Sequence, residues 1–230
     1  MPDRPVPPPA LPEPAAARPA ACCVCRGTDI RHLLAVEGQD YWRCDTCEAT
    51  FLDPAQRLSR SGEHAEYRRH DNNAGDPDYR DFLARLAAPL LARLAPAQSG
   101  LDYGCGAASP LAGMLRAAGH RMQDYDPLFF PQPQPFDRQF DFITCTETAE
   151  HFHDAAMEFD RLGRMLRPGG WLAVMTCFQT DDARFARWHY RRDPTHVVFY
   201  REQTFRHLAA ARGWDCVFPV KDVALMRLPS

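Results

Sequence analysis

Residues 144–155, TCTETAEHFHDA, set Glu147, Glu150 and His151 at positions i, i+3 and i+4. On a helix these three side chains share one face. Three kinds of chemistry fit the spacing. The carboxylates can be an ordinary helix start, favoured there by the macrodipole. His151, or His196 further along in RRDPTHVVFY, can act as a general base with a glutamate orienting its ring. The cluster can also belong to a metal site. Its surroundings decide among these.

Two further groups carry chemistry. Cys22-x2-Cys25, an 18-residue spacer and Cys44-x2-Cys47 have the spacing of a four-cysteine zinc site. Each knuckle offers two thiolates, and two knuckles complete a tetrahedron. The segment is too small to bury a core of its own. Structural zinc, worth roughly 10–16 kcal/mol in small peptides, would hold it together. Cys23 competes with Cys22, but Cys22 gives the better spacing. Four thiolates leave no open position, so this zinc is expected to be structural. The second group is GLDYGCGAASPLA, where Asp102 ends a strand and Gly104 and Gly106 lead into a helix. Glycines at such a turn let the backbone approach a bound cofactor closely. Asp126 ends the next strand, twenty residues after Gly106, at a distance suited to ribose hydroxyls.

Composition is that of a soluble globular protein: 230 residues, 45% hydrophobic, 25% charged, with a formal net charge of -3. That charge leaves no global footprint for nucleic acid or an anionic membrane. No apolar run approaches the ~20 residues of a membrane span, and no apolar leader precedes the first unit. A cytoplasmic location is the expectation. Cys105, Cys145, Cys177 and Cys216 lie in apolar segments and read as small buried hydrophobes.

The elements that must position these groups follow from periodicity. Residues 1–20 are Pro/Ala-rich and are predicted to be a disordered tail. Residues 21–54 form the zinc-ribbon-like unit, with strands around HLLAV and DYWRC. Residues 55–99 are a helical linker or lid. Within it, DYRDFLARLAAPLLARL has apolar side chains at helical spacing up to Leu94, and Pro89 is expected to kink or split the helix. The polar loop before it, with His70, Asn72 and Asn73, is a candidate lid. Residues 100–230 alternate strand and helix signals, which predicts an α/β fold with a doubly wound, mostly parallel sheet. DCVFPV and VALMRL are expected to close it as a hairpin with one antiparallel member. RFARWHYRRDPTHVVFY mixes Trp188, His189, Tyr190, Arg191, Arg192, His196 and Tyr200. It is read as an exposed arginine-rich segment, as a bidentate grip on a substrate phosphate or carboxylate, or as a platform for single-stranded RNA bases.

Taken in order, Asp102, Gly104, Gly106, Asp126, FDFITCTETAEH and LRPGGWLAVMT resemble class I S-adenosylmethionine-dependent methyltransferases. The resemblance covers roughly residues 98–230 and implies a Rossmann-like methyltransferase fold. It implies that Asp102, Gly104 and Gly106 cradle the amino-acid part of S-adenosylmethionine, that Asp126 holds its ribose, and that Thr146 lines the same site. The family's third strand has no convincing counterpart in PLFFPQPQPFDRQF, where Asp137 is a weak substitute for the acid near the adenine. With the cysteine unit included, the chain is similar to bacterial methyltransferases with an N-terminal zinc ribbon, sugar C-methyltransferases among them. The E-x2-E-H pattern resembles ubiquinone-biosynthesis O-methyltransferases and small-RNA 3′-end 2′-O-methyltransferases. There the two acids, the histidine and a later histidine hold a divalent ion, which here implies Glu147, Glu150, His151 and His196. That donor set suits Mn²⁺, Fe²⁺ or Zn²⁺ better than Mg²⁺. The expected activity is O-methylation of a small molecule or glycan-like metabolite. RNA methylation and a non-catalytic scaffold are the alternatives, and nucleic acid is the less favoured partner.

Overall fold

A computed structural model describes residues 17–67, 77–131 and 134–230. Most of the expected tail, and the loop bearing His70, Asn72 and Asn73, lie outside the described residues.

The chain begins with a hairpin of β1 (Ile30–Val36) and β2 (Gln39–Cys44). Its turn is Glu37–Gly38, both left-handed at φ 54° and 79°, the conformation that suits the twist of a two-residue hairpin. β3 (Thr50–Leu52) pairs with β2. Beyond a 3-10 turn at Pro54–Gln56 come α1 (Arg60–Tyr67) and α2 (Pro77–Leu91). α2 runs through Pro89 unsplit and ends two residues later, so Leu94 falls outside it.

The large sheet then forms from β4 (Ser99–Tyr103), α3 (Pro110–Ala117), β5 (Arg121–Tyr125), β6 (Phe140–Thr146), α4 (Ala155–Arg164) and β7 (Leu166–Met175). α5 (Asp182–Phe185), β8 (Val198–Phe199), α6 (Glu202–Ala210), β9 (Asp215–Val217) and β10 (Val223–Arg227) complete the chain. The strand order is β5-β4-β6-β7-β10-β9. Pairs from β5 to β7 are parallel, and β10 is antiparallel to both neighbours, so it is the one reversed strand. Among the described residues no strand lies between β5 and β6 in sequence; a 3-10 turn at Gln134–Asp137 occupies part of that stretch.

Alternation along the central strands explains why both faces of the sheet are covered. Phe142, Ala173, Met175, Val223 and Leu225 pack with Leu83, Leu86 and Leu90 of α2 and Leu111 and Leu115 of α3. Ile143, Cys145, Leu172, Val174, Ala224 and Met226 face the other way, into a cluster with Phe159 of α4 and Phe205 of α6. That second cluster continues without a break into Tyr41, Phe51 and the cysteine knuckles. β8, from the far end of the chain, completes the small sheet β1-β2-β3-β8. Among the described residues no helix is long and apolar enough to cross a membrane.

Candidate functional site

β5 and β6 leave β4 on opposite sides, so a crevice opens at the carboxyl ends of the strands. A cleft of about 1070 Å³ occupies it, lined by Asp102, Gly104, Gly106, Asp126, Thr146, Glu147, Glu150, His151 and His196 among others. α1 and α2 supply Tyr67, Tyr79 and Phe82 to its rim.

The turn after β4 shows why its glycines are needed. Gly104 and Gly106 have φ of 78° and 66°, in the left-handed region. A Cβ on Gly104 would also lie 2.1 Å from the Thr148 methyl group. Gly104 and Cys105 donate their N–H groups to the Tyr125 carbonyl, and Gly106 N–H donates to Asp126 Oδ2 at 3.1 Å. Asp126 Oδ1 accepts from the backbone of Leu128 and Phe129. Oδ1 is thereby filled, while Oδ2, with one donor, retains a lone pair for a ligand hydroxyl. Asp102 is buried and accepts from Thr144 Oγ1 at 2.7 Å and Ser109 Oγ at 2.8 Å, so it braces the turn from behind. Burial pushes its carboxyl up to about 6. Thr146 Oγ1 is buried with no partner among the described residues. An orphaned hydroxyl, two left-handed glycines and a free acceptor face on Asp126 fit a cofactor with amino-acid and ribose groups.

Glu147, Glu150 and His151 do not share a helix. A 3-10 turn covers only Ala149–His151, Glu147 precedes it at φ 46°, and α4 starts at Ala155 with Asp154 as its cap. The expectation of a helical i, i+3, i+4 face is corrected here. The chain must turn sharply off β6 to reach α4, and a regular helix at 147 would not make that turn. The side chains meet nonetheless. Ligand atoms of Glu150, His151 and His196 all lie within 4.8 Å of one another. Glu147 is outside that group. The Tyr190 hydroxyl links it to the group, donating to Glu150 Oε1 at 2.7 Å and lying 3.3 Å from Glu147 Oε2.

Both imidazoles have a defined tautomer. His151 Nδ1 is 3.0 Å from the Thr195 carbonyl, and His196 Nδ1 is 2.7 Å from the Tyr190 carbonyl. A carbonyl oxygen can only accept, so each Nδ1 carries a proton, and it is Nε2 that has a lone pair to offer whenever the ring is neutral. Metal-ligating histidines take the same arrangement. Glu150 is fully buried, and its Oε2 has no partner among the described residues. Burial holds His196 below the usual imidazole range. Burial and the adjacent Glu150 charge raise Glu147 to about 9. Two imidazole Nε2 atoms, each within 4 Å of a carboxylate, beside the unsatisfied Oε2 of Glu150 fit a divalent cation.

The four cysteine sulfurs of the knuckles also converge. Cys22 and Cys47 Sγ are 3.7 Å apart, and Cys25 and Cys44 Sγ are 3.5 Å apart. A tetrahedral Zn–S bond of about 2.3 Å requires edges of about 3.8 Å. The two knuckles repeat one backbone pattern. Arg26 and Glu48, each just after the second cysteine, are left-handed at 65° and 61° and donate to the carbonyls of Cys22 and Cys44. Cys23 points elsewhere: it is buried outside the sulfur cluster, and its carbonyl accepts from Ala156 of α4.

The arginine- and aromatic-rich segment departs from its expectation as an exposed surface. Arg191 is buried, as are Tyr190 and Tyr200, and Trp188 packs on Phe185, Tyr190 and Phe199. Tyr190 and Tyr200 are thus spent on packing, and Trp188 keeps only part of its ring exposed. Arg192 and His189 alone of the seven are exposed. Reading by composition missed Tyr190, Thr195 and Thr148 as site residues, because their partners stand about forty residues away in sequence.

Together, the crevice at the switch point, the glycine turn and the acid after β5 define an α/β protein with a ligand-sized cleft at the strand ends. A family model described as "Methyltransferase domain" matches residues 64–217. The chain belongs to that family, as its resemblance to class I methyltransferases implies. Its fold is that of 1,6-didemethyltoxoflavin-N1-methyltransferase from Burkholderia thailandensis, solved with 1,6-didemethyltoxoflavin and S-adenosylhomocysteine. The two share 20% identity at a TM-score of 0.50, over 80% of this chain and 96% of that one. An O-methyltransferase family protein from the same organism is more distant, at 16% identity and TM-score 0.48 over 76% of this chain and 64% of that one. The chain finds no match among curated proteins.

Proposed function

We propose that this methyltransferase takes its methyl group from S-adenosylmethionine and delivers it to a hydroxyl oxygen of a small molecule or glycan-like metabolite. The observation that carries this reading is the meeting, in one cleft, of the glycine turn with Glu150, His151 and His196. Asp126 would hold the donor's ribose, Gly104 and Gly106 its amino-acid end, and Thr146 the interior of the cleft. The donor supplies a methyl group already activated on a sulfonium. Transfer forms a C–O bond, sends the C–S electron pair to sulfur and releases one proton.

The protein's part is to bring the acceptor hydroxyl into line and ease loss of that proton. Glu150, His151 and His196 would hold a divalent ion, Mn²⁺, Fe²⁺ or Zn²⁺ on ligand chemistry, whose Lewis acidity lowers the pKa of a hydroxyl nearby. Glu147, kept neutral by burial, can donate a hydrogen bond into the same space. Tyr67, Tyr79 and Phe82 at the rim would exclude water. Cys22, Cys25, Cys44 and Cys47 would hold a structural zinc. A cytoplasmic location belongs to this reading.

Asp126→Ala tests the donor site. Calorimetric titration with S-adenosylmethionine should show at least a tenfold loss of affinity against wild type. Equal affinity would remove Asp126 from the site, and no binding by wild type would overturn the donor reading.

A further inference from the structure

The chain from Tyr190 to Phe199 runs between the cysteine unit and the candidate ligand trio, and it is held at both ends by the cysteine unit. At one end Arg191, its side chain wholly buried, donates from Nη2 to Glu37 Oε2 at 2.7 Å and from Nη1 to Gln39 Oε1 at 3.3 Å. Its guanidinium also lies 5.7 Å from the centre of the Tyr41 ring. At the other end β8 pairs with β3, Thr50 against Phe199 and Phe51 against Val198, and Leu52 N–H donates to the Val197 carbonyl.

Between these anchors the segment orients all three candidate ligands. The Tyr190 and Thr195 carbonyls set the tautomers of His196 and His151. The Tyr190 hydroxyl holds one oxygen of Glu150, and Val197 N–H donates to the Glu150 carbonyl at 2.9 Å. His196 is itself part of the segment. The hydrogen bonds given for the donor turn go elsewhere: Gly106 to Asp126, and these with Gly104 to Tyr125, Leu128, Phe129 and Thr148, the last of which also accepts the His151 N–H.

We propose that the cysteine unit is the positioning frame of the ion site, acting through the Glu37–Arg191 pair and the β3–β8 ladder to fix Glu150, His151 and His196. The small metal-binding unit is then part of the catalytic apparatus, although none of its residues touches the reacting groups. This rests on the trio being an ion site. Arg191 and Glu37 are positioning residues. Without Glu37, the buried Arg191 loses its carboxylate partner and is left with the neutral acceptors Gln39, Tyr41 and Ala186, so this anchor is weakened.

The test uses the full chain in its zinc-loaded form, with Glu37→Ala and Arg191→Met as separate variants. Three properties are read: S-adenosylmethionine affinity by calorimetry, Mn²⁺ affinity from loss of the free-ion paramagnetic signal, and the His151 and His196 tautomers from imidazole ¹⁵N resonances. Mn²⁺ is chosen because thiolate sites favour softer ions. Both variants should keep zinc and bind S-adenosylmethionine within about twofold of wild type. Mn²⁺ affinity should fall about tenfold or more, the usual scale for loss of outer partners, and the Nδ1–H tautomers should give way to averaging. Unchanged Mn²⁺ affinity and tautomers in both variants would overturn the proposal. A parallel fall in donor and Mn²⁺ affinity would overturn it too, as a global effect. If wild type takes no Mn²⁺ but the tautomers respond as described, the positioning role stands and the ion reading falls.

Discussion

Glu147 stands just after β6, half-buried in the wall of the cleft with Glu150 close by, and partial burial and the neighbouring acid both disfavour its charge. Its carboxyl is raised from an ordinary 4.5 to about 9. The folded state therefore keeps a proton that the unfolded chain releases near 4.5. Linkage sets the sign: stability is greatest below about 4.5 and declines as pH rises towards about 9. Asp102, raised by burial to about 6, adds to the lower part of the same slope. Glu147→Gln cannot ionise, so its urea midpoint should fall less than that of wild type between pH 5 and pH 8.5. Parallel curves for the two proteins would show that Glu147 does not titrate in that window. Glu147 itself was legible from spacing and residue type. The Tyr190 hydroxyl that links it to Glu150 was not, because Tyr190 comes from a loop some forty positions on and reads in sequence as one more aromatic beside arginines.

α4 illustrates how local chemistry sets an element in place. Asp154 caps it by accepting from Met157 N–H at 3.1 Å, and both oxygens of the same carboxylate accept from Nη2 of Arg26 in the first knuckle, at 2.6 and 2.8 Å. The ion pair is solvent-exposed on both sides, so the cap stabilises the helix more than the pair does. Asp154→Ala should cost about 1 kcal/mol in denaturant unfolding. Arg26→Ala should cost less than about 0.5 kcal/mol. Equal losses in the two variants would move the weight to the ion pair. α4 was legible as a helix from its apolar periodicity. The 3-10 turn before it was not, since Glu147, Glu150 and His151 satisfy helical spacing whether or not the backbone is helical.

The two sheets share one apolar cluster, running from Phe159 and Phe205 through Tyr200 and Phe199 to Tyr41 and the knuckles. A chain packed this way should lose stability as a unit. Removing with a chelator the zinc proposed for the cysteine unit should lower the thermal midpoint of the helical circular-dichroism signal by more than about 5 °C, although the helices lie outside that unit. A helical midpoint unmoved by zinc removal would mean that the two units unfold separately. The β3–β8 pairing behind this expectation joins residues about 150 apart, and two-residue β8 is too short to announce a partner in sequence.

Some features of this protein follow from sequence alone because their physics is local. Left-handed turns call for glycine at 104 and 106, paired knuckles call for cysteines two residues apart, and burial on both faces of a sheet calls for continuous apolar strands. The absence of a third-strand signal after Asp126 belongs to the same class, and the described residues show no strand there. Other features depend on which distant surfaces meet. Whether Arg191 faces water or Glu37, whether His151 carries its proton on Nδ1, and whether Glu150 keeps a free oxygen are decided by packing between segments far apart in the chain. A side chain's hydrogen-bond partners and its solvation are properties of the folded assembly, and only the tertiary structure supplies them.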